Sequence, residues 1–145
     1  MKKLGIIGGG QLGSMLCQAA KKLDLQTIIL TDDSNAPAQN FCDEFICSNY
    51  AAKDNLEKFA KTCDIITFEF ENIPFETLNN LSTIKPVFPD PNINKILQNR
   101  LLEKNYVNDL GVKTTKYSHI KNKNDLIKNS SLLPGFLKTT TLGYD

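Results

Sequence analysis

Apolar and polar positions alternate in two registers along residues 1–90. Short apolar runs at 3–7, 26–31, 44–47, 64–70 and 85–88 predict strands, because runs of this length bounded by turn residues suit buried strands. Between them the period lengthens. Residues 11–23 place Leu12, Met15, Leu16, Ala19, Ala20 and Leu23 at helical spacing, and residues 54–63 do the same with Leu56, Phe59, Ala60 and Cys63. A further helix starts near Pro74, whose fixed φ suits a first turn. Strands joined by helices pair in parallel, and apolar strands need cover on both faces. The pattern therefore predicts an α/β fold with a doubly wound parallel sheet over 1–90.

Pro86, Pro89 and Pro91 stiffen the chain and predict a boundary near residue 90. Beyond it, Asp90 as a cap, Pro91 at the first helical position and Gly111 past the end predict one long helix over 91–110. Residues 114–120 fit a strand or an extended linker, 124–129 a short helix and 136–139 a strand. A second domain begins near 91 and is expected not to finish by 145. Its apolar residues lack part of their packing surface, so 91–145 is expected to be less stable than 1–90 or to self-associate.

Composition narrows the function classes. Apolar residues make up 41% of the 145, enough for a core, and the formal net charge is +1. A nucleic-acid binder carries a basic excess that this chain lacks. The first apolar run stops at Gly8, short of a signal-peptide core, and no run approaches the ~20 apolar residues of a membrane span. The expected location is cytoplasmic, with neither nucleic acid nor membrane as partner. Cys17, Cys42, Cys47 and Cys63 form no CxxC pair and His119 is the single histidine, so no zinc site or disulfide is expected. Cys17 and Cys63 read as small core residues.

Three places carry candidate chemistry. Gly8-x-Gly10-x-x-Gly13 follows a strand and opens a helix, with Asp32 at the end of the next strand. That is the context of a dinucleotide fingerprint, with Asp32 on a ribose. The same glycines also suit close strand–helix packing, or a different phosphate-bearing ligand. Glu69 and Glu71 share one face if the strand over 64–70 continues through them, and they lie at its carboxyl end, where open α/β sheets bind ligands. Either can instead charge the next helix start. Arg100 falls on or beside the stripe of Ile93, Ile96, Leu97 and Leu101, where it can snorkel, pair with Glu103 or face a phosphate. Lys138, in an apolar run, is an exposed lysine or a phosphate contact.

Four segments occur in a telling order: Ile6-Ile7-Gly8-Gly9-Gly10-Gln11-Leu12-Gly13, Phe68-Glu69-Phe70-Glu71-Asn72-Ile73-Pro74, Gln98-Asn99-Arg100-Leu101-Leu102-Glu103-Lys104, and Leu137-Lys138-Thr139-Thr140-Thr141-Leu142-Gly143-Tyr144-Asp145. Together they resemble the N5-carboxyaminoimidazole ribonucleotide synthetases, ATP-grasp ligases of purine synthesis. The resemblance runs over the whole chain. It implies a Rossmann-like pre-ATP-grasp domain over 1–90 that binds no dinucleotide, then over 91–145 a linker helix and the start of an ATP-grasp domain. It implies ATP, Mg2+, bicarbonate and 5-aminoimidazole ribonucleotide as ligands. In that family ATP phosphorylates bicarbonate, and the carboxyl group passes to the amine of the ribonucleotide.

By the same resemblance, Arg100 and Lys138 take the places of an ATP-contacting arginine and lysine. Gly143, Tyr144 and Asp145 match the start of a glycine-rich phosphate loop, with Tyr144 and Asp145 also near the aminoimidazole substrate. Gln11 and one of Glu69 and Glu71 fall on the substrate side. The chain departs from the family at Ser14, where arginine is usual, and at Thr139 and Thr140, where basic residues are common. The family's magnesium carboxylates belong to a lobe that follows the Gly-Tyr-Asp segment. No residue here is therefore assigned a catalytic or metal-binding role, and the chain is expected to be inactive alone. A C-terminal half-chain that completes the enzyme is one expected partner, and a homodimer is another that the resemblance implies. A non-catalytic remnant or binding subunit and an NAD-binding oxidoreductase domain are the alternatives.

Overall fold

The computed structural model describes residues 1–142. They fall into two compact units, the first Met1–Lys95 and the second beginning at Ile96. Gly143, Tyr144 and Asp145 lie outside the described residues. No described helix is long and apolar enough to cross a membrane.

In the first unit the predicted runs become five parallel strands: β1 (Lys3–Ile7), β2 (Gln26–Thr31), β3 (Glu44–Cys47), β4 (Ile65–Phe68) and β5 (Val87–Phe88). Their order is β3-β2-β1-β4-β5, with Gly5 opposite Ile28 on one side and Ile66 on the other. The chain works outward from β1 to β3, then returns to add β4 and β5 on the other side. The direction reverses between β1 and β4. In open parallel sheets the crevice outside the strand ends at such a reversal is the usual ligand site.

Alternation along the strands sorts the core into two layers. Ile7, Ile28, Leu30 and Ile66 pack with Leu56, Phe59, Ala60 and Cys63 of α2 (Lys53–Thr62) and with Leu78 and Leu81 of α3 (Phe75–Ser82). Ile6 and Ile29 face the other way, onto Cys17 of α1 (Gln11–Lys21) and Ala38 of a 3-10 turn. The helices α2 and α3 therefore cover one face and α1 the other, as the doubly wound pattern predicted.

The seating of α1 differs from the expected stripe. Leu12 and Met15 are each 56% exposed and Leu23 is exposed, whereas Gly13, Ser14, Cys17 and Ala20 face the sheet. The small residues win because the helix lies too close to β1 for larger ones. A Cβ built on Gly13 would fall 2.6 Å from the Gly8 carbonyl oxygen.

Burial has a chemical signature in the thiols. Desolvation pushes Cys63 up from 9.0 to about 12. At pH 8 a thiol with that value is about 10⁻⁴ thiolate, and the thiolate is the reactive form. Iodoacetamide at pH 8 followed by peptide mass spectrometry should therefore label exposed Cys47 first and leave Cys63 unmodified until urea is added. Native-state labelling of both at one rate would contradict this packing. The shift also has a stability sign. Between pH 9 and about 12 the folded chain keeps a proton that the unfolded chain releases, so stability falls as pH rises through that window.

The second unit is built differently. The single helix predicted over 91–110 is two: α4 (Pro91–Leu97), whose first residues belong to the first unit, and α5 (Arg100–Asp109). Asn99 breaks it. Its backbone is extended at φ −126 and its side chain accepts hydrogen bonds from Leu101 N–H (3.0 Å) and Leu102 N–H (3.1 Å). Asparagine is a weak helix former and a strong N-cap, so a new helix starts there. The stripe of Ile93, Ile96, Leu97 and Leu101 is thus not one helix face. The C-terminal signal was read correctly: Gly111 follows α5 with φ +80.

The short helix α6 (Lys123–Lys128) forms near its expected place. Residues 114–120 are extended without pairing, the linker alternative, and the strand expected at 136–139 does not form. A strand needs a ladder neighbour, and none of the described residues supplies one. No described residue from Ile96 onward is buried.

Candidate functional site

The crevice between the ends of β1 and β4 collects the predicted acids and the glycine loop. β1 ends at Ile7, and Gly8 turns with φ +107, a conformation that side-chain-bearing residues rarely adopt. Gly9 is buried against Ala36 and Thr31, and its carbonyl accepts from Ala38 N–H at 3.0 Å. Gly10 is the N-cap of α1 and makes no side-chain cap bond, and the first turn of that helix holds no acidic residue.

β4 stops at Phe68, two residues earlier than expected. Glu69 N–H still donates to the Ile7 carbonyl at 3.1 Å, so its backbone continues the β1 side of the ladder. Glu71 lies in a turn, so the two acids do not share a strand face as the sequence reading assumed. Instead Glu69 folds into the glycine loop. Gly10 N–H donates to Glu69 Oε1 at 3.2 Å. A Cβ on Gly8 would meet that oxygen at 2.8 Å and one on Gly10 at 3.3 Å. A carboxylate thus sits against the loop where a dinucleotide fingerprint would hold a phosphate.

Gln11 stands exposed at the first position of α1, and Glu71 is exposed on the turn after Glu69. Two polar residues not singled out by the sequence support this region. Asn94 is 3% exposed and donates from Nδ2 to the Ile73 carbonyl at 3.3 Å, anchoring the chain that leaves the Glu71 turn. Tyr50 is buried with its hydroxyl beside Thr31 and Asp32, and burial pushes that phenol above its usual range. An asparagine beside the apolar Ile93 was the available signal for the first; the second had none. Ser14, a departure in the resemblance, donates its hydroxyl back to the Gly10 carbonyl at 3.0 Å.

In the second unit, Arg100 and Lys138 line one cavity of about 670 Å³, together with Lys104, His119 and Phe136. Arg100 is the first residue of α5. Its backbone N–H donates to the Thr140 carbonyl at 2.8 Å, and its Nη1 donates to the carbonyls of Thr139 (3.1 Å) and Leu142. Spacing had offered Glu103, snorkelling or a phosphate; in the structure one guanidinium nitrogen holds the segment that follows Lys138. Lys104 lies over the Tyr117 ring at 5.2 Å and donates to Thr115 Oγ1 at 2.9 Å, which shapes another wall. The predicted contacts Gly143, Tyr144 and Asp145 lie outside the described residues.

Known proteins share this architecture. The family described as the ribonucleotide synthetase preATP-grasp domain matches residues 1–98. The N5-carboxyaminoimidazole ribonucleotide synthase of Pseudomonas aeruginosa is 38% identical over 145 residues, which is 99% of this chain and 40% of that protein. Among solved structures, the N5-carboxyaminoimidazole synthetase of Staphylococcus aureus complexed with ADP superposes with a TM-score of 0.91 at 33% identity, covering 99% of this chain and 39% of that one. The Aspergillus clavatus synthase, in complex with ADP and 5-aminoimidazole ribonucleotide, gives a TM-score of 0.81 at 26% identity over 92% of this chain and 36% of that one. The chain spans 40% of the length of the Pseudomonas aeruginosa and Brucella melitensis synthases it matches.

Proposed function

Because the chain belongs to the ribonucleotide synthetase preATP-grasp family, we propose that it forms the N-terminal part of an ATP-dependent ligase that carboxylates 5-aminoimidazole ribonucleotide with bicarbonate. The observation that carries this reading is the likeness to the Pseudomonas aeruginosa synthase across 99% of the chain. The first unit serves the ribonucleotide and the second serves the nucleotide phosphates.

The residues take roles that their chemistry suits. Gln11 and Glu71, exposed at the ends of the crevice, offer an amide and a carboxylate to ribose hydroxyls or the substrate amine. Arg100 and Lys138, which line one cavity, supply positive charge for the triphosphate of ATP. Gly143, Tyr144 and Asp145 take, by the resemblance in sequence, the start of a phosphate loop, with Tyr144 and Asp145 also serving the aminoimidazole. Phosphoryl transfer depends on positioning and charge neutralisation more than on covalent help from the protein. Among the described residues no group of three His, Cys, Asp or Glu side chains comes together to hold a metal. Mg2+ does not fit these residues, and no step is assigned to it on them.

The test is ADP release by the purified chain with ATP, bicarbonate, magnesium and 5-aminoimidazole ribonucleotide, repeated after adding the remaining length of the Pseudomonas aeruginosa enzyme as a second polypeptide. The expected result is ribonucleotide-stimulated release in the mixture and none from the chain alone. Release by the chain alone would show the catalytic groups to be misplaced. Failure of the ribonucleotide to bind the chain or to stimulate the mixture would sink the reading.

A further inference from the structure

We propose that Tyr50 is a positioning residue of the ribonucleotide crevice: it ties α3 to the strand end that backs the glycine loop, so that the two walls hold one spacing. The assignment rests on the reading of the first unit as the ribonucleotide site. Tyr50 follows β3 and is 8% exposed, at the end of the sheet where open α/β folds bind ligands. One wall holds its backbone. Thr77 Oγ1, in the first turn of α3, donates to the Tyr50 carbonyl at 2.7 Å in a buried bond. Tyr50 also belongs to the buried cluster of Ile73 and Leu78, in the layer under α2 and α3.

The hydroxyl reaches the other layer. It lies beside Thr31 and Asp32, at the end of β2. Thr31 is in phase with Ile29, which faces α1, and out of phase with Leu30, which faces α2 and α3. On that side Thr31 backs the glycine loop: a Cβ built on Gly9 would fall 3.0 Å from Thr31 Cγ2. Ser48 N–H donates to the Thr31 carbonyl at 2.8 Å, so the segment that carries Tyr50 is pinned to β2 as well. The sheet separates the two layers, and at its ligand end this side chain crosses between them. A phenylalanine would fill the same space without the crossing contact. Burying a hydroxyl costs stability unless it finds polar partners, so its place here is matched to Thr31 and Asp32. Through Thr31 the phenol holds Gly9, and through its carbonyl Tyr50 is held by α3.

The experiment records amide spectra of the ¹⁵N-labelled full chain as wild type, Tyr50→Phe, Thr77→Val and the double variant, then titrates each with 5-aminoimidazole ribonucleotide. Tyr50→Phe keeps the ring and removes the contact at β2. Thr77→Val keeps the side-chain shape and removes the bond from α3. Without ligand, both single variants are expected to shift the Gly9 and Gly10 amides, and the double variant to shift them no further than the larger single change. On titration each single variant should bind about fivefold more weakly, the scale of one net hydrogen bond. A merely structural residue would lower the unfolding midpoint and leave the glycine amides and the affinity as in wild type. Additive shifts, a Thr77→Val change confined to α3, or wild-type affinity in the variants overturns the proposal. If Thr77→Val does not fold, unshifted glycine amides in Tyr50→Phe overturn it alone. Absence of ribonucleotide binding in wild type sinks the ligase reading, and the ligand-free shifts still decide whether Tyr50 ties the walls.

Discussion

Phe59→Ala is expected to remove about 3–5 kcal/mol of stability, the largest loss from any single side chain in the first unit. Phe59 is fully buried in the layer between α2 and the sheet. Its ring occupies the space above Gly5 in the central strand, where an added Cβ would fall 2.7 Å from Cζ. Truncation leaves a void that backbone on both sides resists filling. Domains of this size hold about 5–15 kcal/mol in total, so much of the margin goes. Urea unfolding followed by circular dichroism should show a lower midpoint with an unchanged slope. A midpoint shift below about 1 kcal/mol would mean that α2 can settle onto the sheet, contrary to the close packing found there.

Gly8→Ala should cost about 2–4 kcal/mol and act on the site as well as on stability. Gly8 has φ +107, and strain of that kind costs about 1–3 kcal/mol for a residue with a Cβ. The new methyl would also sit 2.8 Å from Glu69 Oε1, displacing the carboxylate and weakening a hydrogen bond worth about 1 kcal/mol. Hydrogen exchange should accelerate at the Gly10 amide beyond the change seen in the β2 amides. Equal acceleration at both would show global loosening, and no change at Gly10 would show that the loop tolerates a Cβ.

Much of the first unit was legible in the sequence because its signals are local. β2 and β3 take the limits that their apolar runs predicted, and helix–strand alternation was enough to predict parallel pairing with cover on both faces. The misreadings came from contacts that hydrophobicity does not weigh. Leu12 and Met15 are more apolar than Gly13 or Cys17, yet distance to the sheet selects the smaller residues. Asn99 looked like an ordinary polar helix position, but its side chain competes for backbone N–H groups and starts a new helix.

At the candidate site, the sequence singled out the glycines and both acids but not how they sit together. Period-2 alternation placed Glu69 and Glu71 together, whereas β4 ends before them and a helix start far away in sequence captures Glu69. Arg100 was noticed for its position on an apolar stripe that the break at Asn99 removes. Its carbonyl partners at 139 and 142 depend on how a distant segment returns, which no local pattern encodes.

The small-residue face of α1 has a reach beyond the core. Gly13, Ser14, Cys17 and Ala20 set how deep the helix sits, and Gly10 is the end of that same rigid rod. The 3.2 Å contact to Glu69 is therefore a reading of helix depth, taken at the crevice. One extra methylene beneath the helix would lift its start away from the carboxylate. Side chains buried beneath α1 thus act as the gauge to which the glycine loop is cut, and volume changes there will surface as changes in the Gly10–Glu69 contact.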